Sequence, residues 1–311
     1  MRASSGRAPV VSIGNLAMGG RGKTPVAALV ARLFVAAGEK PAILSRGYRR
    51  RRPEDGVVIV SDGAHVVADV DRGGDEPFLM ARLAPGAAVL VHEQRAIAVA
   101  LAEQALGSTV HVLDDGFQHT SLARDVDIVI VNAGDLAGRP LPLGRLRSPV
   151  SSLSRAHAVI LDGATDDLRT AVARVAGAGV KVFELRRSLG APVPLEPERA
   201  WPAASRRVVA VAGIAAPDRF AAALRESGWD VAEQIAFSDH HRYRTRDVER
   251  IAAAVSSTGA VAAVTTDKDA VRLLRFRPLP VPIASIPLDV DVAPATEFRD
   301  WLLARARGAR A

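Results

Sequence analysis

Short apolar runs alternate with longer segments of helical composition along residues 10–176. Strands are predicted for the runs that are rich in β-branched residues and nearly continuous in apolar side chains: "VVSIG", "PAILS", "VVIVS", "AAVLVH", "VHVLDD", "VDIVIVN" and "HAVILD". The alanine- and leucine-rich segments between them predict helices over residues 24–37, 76–83, 95–106 and 166–176. Such an alternation is typical of a mostly parallel sheet with helices on both faces, so we expect an α/β fold.

The regular alternation stops near residue 181. The segment "KVFELRRSLGAPVPLEPERAWPAASRR" contains four prolines and several charges, which predicts a domain linker. After it, the runs "VVAVAGI", "DVAEQIAFSD", "AVAAVTTD" and "VPIASIPLDV" predict the strands of a second, smaller α/β unit. We therefore expect a core domain over residues 1–187 and a C-terminal domain over residues 188–311, whose last helix is free to pack back on the core.

Composition narrows the class of protein. Hydrophobic residues make up 49% of the chain and charged residues 24%, as in a folded globular protein. The chain has no cysteine, which excludes disulfides, thiolate metal sites and thiol catalysis. There is no apolar window of about 18 residues, so no transmembrane segment is predicted. The first strand starts near residue 9, so we expect no signal peptide and a soluble or peripheral protein.

The chain is basic, with 41 Lys and Arg against 34 Asp and Glu and a net charge of +7. A basic surface suits a phosphorylated ligand, an anionic membrane or nucleic acid, and charge alone does not choose between them. The strongest cluster, "RGYRRRRP", includes the basic loop of residues 49–52 and has no interleaved aromatics for base stacking. We recognise no nucleic-acid module and expect no nucleic-acid partner.

A glycine-rich turn, "NLAMGGRGKTP", joins the first predicted strand to the first predicted helix. Glycines there let backbone N–H groups approach a phosphate, Lys23 supplies a charge and Thr24 a hydroxyl for Mg²⁺. The strict loop pattern has glycine five residues before Gly22, where this chain has Ala17. The alternative is a glycine turn without a ligand. The residues assigned to nucleotide phosphates are Asn15, Gly19, Gly20, Arg21, Gly22, Lys23, Thr24 and Pro25.

Adjacent carboxylates end a later apolar strand in "VHVLDDGFQH". In phosphate-loop enzymes a strand-end aspartate holds Mg²⁺ or its waters, which makes Asp114 and Asp115 metal candidates. The alternative is an Asp-Gly turn that only ends the strand.

Further carboxylates, Asp75 and Glu76, precede a helix in "RGGDEPFLMARL". One interpretation is a helix N-cap, which an aspartate stabilises. A catalytic interpretation needs a partner, which His240 or His241 of "FSDHHRY" can supply. Sequence spacing alone does not bring these residues together.

Taken together, the chain resembles the tetraacyldisaccharide 4′-kinase (lipid A 4′-kinase) family. The matching motifs run in the family's order from about residue 10 to residue 274: "SIGNLAMGGRGKTP", "LSRGY", "GDEP", "LDDGFQH", "ARDVDIVIVNA", "PLGRLRSPVSSLSRAHAVI", "VAGIAAPDRF", "FSDHHRY" and "TTDKDAV". The family also lacks the first glycine of the strict loop pattern, so Ala17 agrees with it. The resemblance implies a P-loop NTPase-like core and a smaller domain that closes over the active site.

The activity implied by the resemblance is transfer of the ATP γ-phosphoryl group to the 4′-hydroxyl of a tetraacyldisaccharide 1-phosphate. By the same resemblance, Lys23 binds phosphates, and Asp75 pairs with His240 to take the hydroxyl proton. Mg²⁺ is assigned to Thr24, Glu76, Asp114 and Asp115. Substrate contacts are assigned to Tyr48, Arg95, His119 and Arg147.

The resemblance also implies a peripheral protein on the cytoplasmic face of a bacterial inner membrane, with the lipid A disaccharide precursor and an anionic membrane surface as partners. We expect a monomer and leave the oligomeric state open. Ser148 stands where the resemblance leads us to expect an acidic residue. The resemblance also leads us to expect an N-terminal hydrophobic or amphipathic segment before the phosphate loop, of which this sequence has almost none. Either its start is truncated, or we expect membrane docking through the second domain's surface or the basic loop after Tyr48. Two alternatives are a phosphate-loop kinase or NTPase for a soluble substrate, and a nucleotide-binding module without catalysis.

Overall fold

The computed structural model describes residues 6–19, 22–48, 50–202 and 205–309. The chain divides into two compact units. The first contains Met1–Arg186 and Val290–Ala311, and the second contains Arg187–Asp289. Within the described residues, no helix is both long enough and apolar enough to cross a membrane.

The strands follow the predicted runs closely in the first half of the chain. They are β1 (Val10–Asn15), β2 (Pro41–Ser45), β3 (Val58–Asp62), β4 (Ala88–Val91), β5 (Val110–Asp114), β6 (Val126–Val131), β7 (Ala158–Asp162), β8 (Lys181–Leu189), β9 (Val193–Pro194), β10 (Arg207–Ala212), β11 (Asp230–Ala236), β12 (Ala262–Thr265), β13 (Ile283–Ser285) and β14 (Leu288–Ala293).

The helices connect these strands. They are α1 (Lys23–Ala36), α2 (Val70–Gly73), α3 (Asp75–Leu83), α4 (Arg95–Leu106), α5 (Ala133–Leu136), α6 (Asp166–Ala176), α7 (Pro217–Glu226), α8 (Thr245–Thr258), α9 (Asp267–Leu273) and α10 (Ala295–Gly308). Short 3-10 helices occur at Val150–Arg155 and Leu274–Phe276.

A nine-stranded sheet with the order β14-β8-β7-β6-β1-β5-β2-β4-β3 forms the first unit. Strand β1 pairs in parallel with β5 on one side and β6 on the other. Strand β3 is antiparallel to β4 at one edge. Because the carboxyl ends of parallel strands lie at the same edge, the loops after β1, β5 and β6 meet there. This confirms the predicted α/β fold with a mostly parallel sheet.

Alternate side chains of the central strands pack in two hydrophobic layers, one on each face of the sheet. In β6, Ile128 and Ile130 belong to the layer that contains α1, whereas Val129 and Val131 belong to the opposite layer. All four side chains are fully buried. This two-sided burial explains why the strands read as continuous apolar runs rather than as an alternation.

The segment from residue 181, which we predicted to be linker, begins with a strand. Strand β8 pairs in parallel with β7, and its Phe183 and Leu185 side chains are buried. The prediction was wrong for residues 181–189 because the prolines that suggested a linker all follow the strand. Its other side chains are mostly exposed or half-buried, so the run lacks the continuous apolar signal.

The last helix lies in the first unit. Phe298 of α10 packs edge-on against Phe183 of β8 with ring centroids 5.0 Å apart, and Trp301 lies 5.7 Å from the same ring. Such aromatic contacts add to the burial of large apolar side chains. Residues 290–311 therefore belong to the first unit, which the predicted division allowed for the last helix but not for strand β14 before it.

A five-stranded sheet with the order β11-β10-β12-β13-β9 forms the second unit. Its strands are parallel except β9, which is antiparallel to β13. The run "VPIASIPLDV", predicted as one strand, is split into β13 and β14, since Pro287 interrupts it and has no N–H to donate to a ladder.

Candidate active site

The turn after β1 ends on a glycine with a left-handed backbone, directly before helix α1. Gly22 lies immediately before α1 with φ 77° and ψ 22°, a left-handed conformation that glycine adopts without strain. Its carbonyl accepts a hydrogen bond from the Val26 N–H at 3.2 Å, which starts the helix. Thr24 and Pro25 lie in the first turn of α1. Gly20 and Arg21, also assigned to this site, lie outside the described residues.

Ala17 is a buried residue of the core, at the position where the strict loop pattern has glycine. Its methyl packs in the hydrophobic layer that includes Leu16, Phe117 and Leu146. Ala17 also forms a β-bridge with Leu146, and the Met18 N–H donates to the Arg145 carbonyl at 2.8 Å. The entry to the loop is therefore held by a neighbouring segment and by side-chain packing.

Lys23 lies between two oxygen acceptors at the base of this loop. Its Nζ donates to Asn15 Oδ1 at 3.0 Å and lies 3.3 Å from Asp115 Oδ1. Asn15 is fully buried, and its Nδ2 donates to the Ala17 carbonyl at 2.8 Å. These contacts orient the ammonium group and connect the side chain of Lys23 to the backbone of the loop.

Arg147 completes the network. Its guanidinium donates to both oxygens of Asp115, at 2.7 and 2.6 Å, and to Asn15 Oδ1 at 2.6 Å. Asp115 has a left-handed backbone, with φ 53°. Burial acts to raise the pKa of Asp115, but the hydrogen bonds and charges of Arg147 and Lys23 outweigh it and hold that pKa below its ordinary value. Asp115 is therefore a stable anion.

Asp114, the last residue of β5, has the opposite electrostatic environment. Burial, and next the negative charges of Glu76 and Asp115, raise the pKa of Asp114 from 3.8 to about 7. The positive charges of Lys23 and Arg95 oppose this increase. Of the described residues, none donates a hydrogen bond to Asp114 Oδ1, which is buried. A buried carboxylate oxygen without a donor calls for a cation or an ordered water.

These residues fit a Mg²⁺ site that includes phosphate oxygens. Across the described parts of the chain, no cluster of three or more His, Cys, Asp or Glu side chains is arranged to hold a metal ion. Mg²⁺ in nucleotide enzymes does not need such a cluster, since one or two protein oxygens, phosphates and waters complete its shell. The unpartnered oxygen of Asp114 and the hydroxyl of Thr24 suit that arrangement.

Asp75 and Glu76 begin helix α3. They form its first turn, directly after Gly74, which has φ 93°. Negative charge at a helix N-terminus is favourable, so this position alone explains the residue types. The charge of Glu76 nevertheless acts on Asp114, which brings the "GDEP" motif into the electrostatic neighbourhood of the strand-end carboxylates.

Arg95 and His119, two of the predicted substrate residues, share one electrostatic neighbourhood. Arg95 is buried, donates to the Glu93 carbonyl at 3.0 Å and has a buried Nε without an acceptor among the described residues. Burial, and next the charge of Arg95, lower the pKa of His119. Tyr48 is exposed. Arg147, the fourth predicted substrate residue, is held in the Asp115 network.

The second unit places its two adjacent histidines in different environments. His241 Nε2 lies 3.0 Å from Asp247 Oδ2, and the ring stacks on Phe237. His240 has φ 60°, and its Nε2 lies 3.2 Å from Lys268 Nζ while its Nδ1 lies 3.3 Å from an Arg272 guanidinium nitrogen. His241 therefore packs in its own unit, whereas His240 lies among charged side chains: the cations of Lys268 and Arg272, and the carboxylate of Asp239, 3.9 Å from its Nε2.

A family model described as tetraacyldisaccharide-1-P 4′-kinase matches residues 1–307. The chain belongs to this kinase family. A tetraacyldisaccharide 4′-kinase of Anaeromyxobacter sp. (strain Fw109-5) is 40% identical over 303 residues, which cover 91% of this chain and 78% of the relative. That of Koribacter versatilis (strain Ellin345) is 37% identical over 303 residues, covering 96% and 88%.

Solved structures agree with the family assignment. The crystal structure of LpxK from Aquifex aeolicus in complex with ATP superposes with a TM-score of 0.78 and 28% sequence identity, covering 98% of this chain and 90% of that one. The kinase fold described above is thus also the fold of an ATP-bound relative.

Sequence reasoning about this kinase missed the cations around His240. Lys268 and Arg272 lie on α9, and Asp269 between them is fully buried. Asp269 accepts from the Gly213 N–H at 2.9 Å and from Arg272 at 3.0 Å, which fixes α9 against the loop after β10. Lys268 and Asp269 fall within the motif "TTDKDAV", and Arg272 directly follows it.

Ser148 and Gln118 form a second feature without a predicted role. Gln118 Nε2 donates to the Asn15 carbonyl at 2.8 Å and to Ser148 Oγ at 3.1 Å. The serine, which stands where we expected an acidic residue, is buried and has a neutral, half-buried partner. The contact ties the loop after β5 to the end of β1.

Proposed function

We propose that this chain transfers the γ-phosphoryl group of ATP to the 4′-hydroxyl of a tetraacyldisaccharide 1-phosphate, a step of lipid A biosynthesis. The observation that carries the proposal is the arrangement of Lys23 and Asp114 at the end of the central strands, in a chain that belongs to the 4′-kinase family over nearly its full length. Phosphoryl transfer depends mainly on positioning and charge stabilisation, which this arrangement supplies.

Lys23 is the residue that contacts the β- and γ-phosphates. Its ammonium is already oriented by Asn15 and Asp115, so little side-chain ordering remains when a phosphate binds. The backbone N–H groups next to Gly22, at the N-terminus of α1, add further donors. Arg147, which the resemblance assigns to the substrate, holds Asp115 in place through both carboxylate oxygens.

Asp114 and Thr24 are the residues that hold Mg²⁺, which when bound neutralises charge on the β- and γ-phosphates. Asp115 is the weaker candidate of the two aspartates, because Arg147 and Lys23 engage its oxygens. Glu76 lies close enough to act on the charge of Asp114 and contributes to the same acidic region.

Asp75 and His240 form the base. The 4′-oxygen attacks the γ-phosphorus and the bond from that phosphorus to the β–γ bridging oxygen breaks, so that ADP leaves. The hydroxyl proton passes to the pair of Asp75 and His240, which the resemblance assigns as the base. A positioned base of this kind contributes roughly 10²–10⁴ in rate. The two residues belong to different units, so the pair stays a prediction.

The kinase works as a peripheral protein on the cytoplasmic face of the inner membrane, as a monomer. Its substrate carries acyl chains that belong in a bilayer, and the chain's net charge of +7 favours an anionic surface. Tyr48, Arg95 and His119 are assigned to the sugar and 1-phosphate end of the substrate.

The test is an assay with γ-labelled ATP and tetraacyldisaccharide 1-phosphate in detergent micelles, with and without Mg²⁺. We expect label in the lipid only when Mg²⁺ is present. Lys23→Met should abolish transfer, whereas Lys40→Met, which removes an exposed lysine, should leave it unchanged. A folded wild-type protein that labels no lipid, under conditions where a relative does, contradicts the proposal.

A further inference from the structure

The segment after α5 forms a tight loop at the edge of the sheet that carries the site. We call residues 139–147 the docking loop. It is closed by hydrogen bonds from the Leu141 N–H to the Leu146 carbonyl at 2.9 Å and from the Leu146 N–H to the Arg139 carbonyl at 3.0 Å. A Cβ at Gly144 would lie 2.1 Å from the Arg139 carbonyl oxygen, so the turn requires glycine there. Its shape is therefore fixed before anything binds.

The docking loop holds large apolar side chains in solvent. Leu143 is 82% exposed and Leu141 is 50% exposed, while Leu146 between the closing hydrogen bonds is buried. Met18, whose N–H donates to the Arg145 carbonyl, is also 50% exposed. Single exposed leucines are ordinary, but neighbouring ones on a rigid turn indicate a binding surface.

The charges of the docking loop indicate what covers this surface. Arg139 and Arg145 are exposed on either side of the leucines. Residues 136–150 contain no acidic side chain. An apolar tip between cations matches the interface of an anionic bilayer, where leucine enters the acyl region and arginine contacts lipid phosphates.

We propose that the docking loop inserts Leu141 and Leu143 into an anionic lipid bilayer, with Arg139 on the lipid phosphates. The inference rests on the proposed function, because an enzyme with an acylated substrate must reach a bilayer. The loop is bridged to Ala17 at the entry to the phosphate loop, so insertion sets the phosphate site at a fixed distance from the membrane surface.

The test measures binding to mixed phosphatidylcholine–phosphatidylglycerol vesicles by co-sedimentation, with pure phosphatidylcholine vesicles for comparison. Leu141→Ser/Leu143→Ser should lower the partition coefficient roughly tenfold, because two apolar side chains no longer enter the interface. The control Val66→Ser/Val67→Ser removes two apolar side chains that are 46% and 49% exposed, close to the 50% of Leu141, and should bind as wild type. Arg139→Gln should weaken binding to the anionic vesicles several-fold and leave binding to pure phosphatidylcholine vesicles unchanged. The effect on anionic vesicles should be smaller at high salt, which screens the charges.

Phosphorylation of the substrate in detergent micelles separates this inference from the proposed function. We expect the leucine variant to match wild type in micelles and to lose activity on substrate embedded in vesicles. The single variant Leu143→Ser, at the most exposed position, covers the case in which the double variant misfolds. If Leu143→Ser and the double variant both bind vesicles as wild type does, the inference about the docking loop is wrong. Activity in micelles would still support the kinase assignment in that case. Wild type that is inactive in micelles contradicts the proposed function instead.

Discussion

Asp114→Asn should make the protein more stable and less active. In the folded protein, burial and the nearby charges of Glu76 and Asp115 disfavour the ionised form of Asp114. Asparagine has nearly the same shape and no charge to bury. A residue whose replacement raises stability while lowering activity is retained for its chemistry rather than for the fold.

The size of the stabilisation follows from the pKa. A folded-state pKa of about 7 against an ordinary value of 3.8 corresponds to about 4 kcal/mol, at roughly 1.4 kcal/mol per pKa unit. Asparagine retains part of the cost of burying a polar group, so we expect a gain of about 2–4 kcal/mol at pH 8.

The gain depends on pH in a defined direction. Because the folded-state pKa is raised, folded Asp114 binds more protons than unfolded Asp114 between pH 3.8 and about 7, and the wild type loses stability as the pH rises through that window. The gain in free energy of unfolding from Asp114→Asn should therefore be near zero below pH 4, increase up to pH 7 and stay constant above about pH 8.

Urea unfolding from pH 5 to pH 8.5, without nucleotide or Mg²⁺, measures this difference. Asp115→Asn is the matched control, since the neighbouring carboxylate has a lowered pKa and two cationic partners, and asparagine tolerates its left-handed backbone. That variant should be less stable than wild type at pH 8. An Asp114→Asn variant no more stable than wild type at pH 8, or a difference that does not change with pH, would refute the reasoning.

Three further predictions concern the base, the phosphate loop and the strand before it. Asp75→Ala and His240→Ala should each lower kcat substantially, and the double variant should have a kcat little lower than either. Fully additive losses in a micelle assay would show that the two residues act independently. Ala17→Gly should lower the free energy of unfolding by about 1 kcal/mol in urea, because it removes a buried methyl, while the KM for ATP stays unchanged. Gly14→Ala should cost about 1–3 kcal/mol, because its Cβ would lie 2.4 Å from the Phe117 Cβ; an unchanged urea midpoint would contradict that clash.

The central sheet was predictable because both of its faces are covered. Strands such as β6 bury every side chain, so the sequence signal is strong and local. The direction of a strand has no such signal, and the antiparallel β3 has an apolar run like that of its parallel neighbours. Strand β8 was missed because only part of it is buried.

The candidate site was predictable where neighbouring residues in sequence are neighbours in space. Lys23 and the Asp114–Asp115 pair follow parallel strands, and their meeting at one edge follows from topology. The choice of His240 over His241 came from the resemblance alone, since sequence spacing does not show which ring Phe237 and Asp247 engage. The cations of α9 were missed for the same reason, because their contact with His240 spans 28 residues or more.

The charges at the base of the phosphate loop do not cancel, and this imbalance favours an anion. Lys23 and Arg147 bring two positive charges to Asp115, which brings one negative charge. Asp114 adds little further negative charge below pH 7, because its raised pKa keeps a large share of it protonated. An unbalanced positive charge in a partly buried site is costly until an anion binds. A bound phosphate relieves that cost. Because phosphate is itself negative, it disfavours ionised Asp114 unless a cation offsets the repulsion between them.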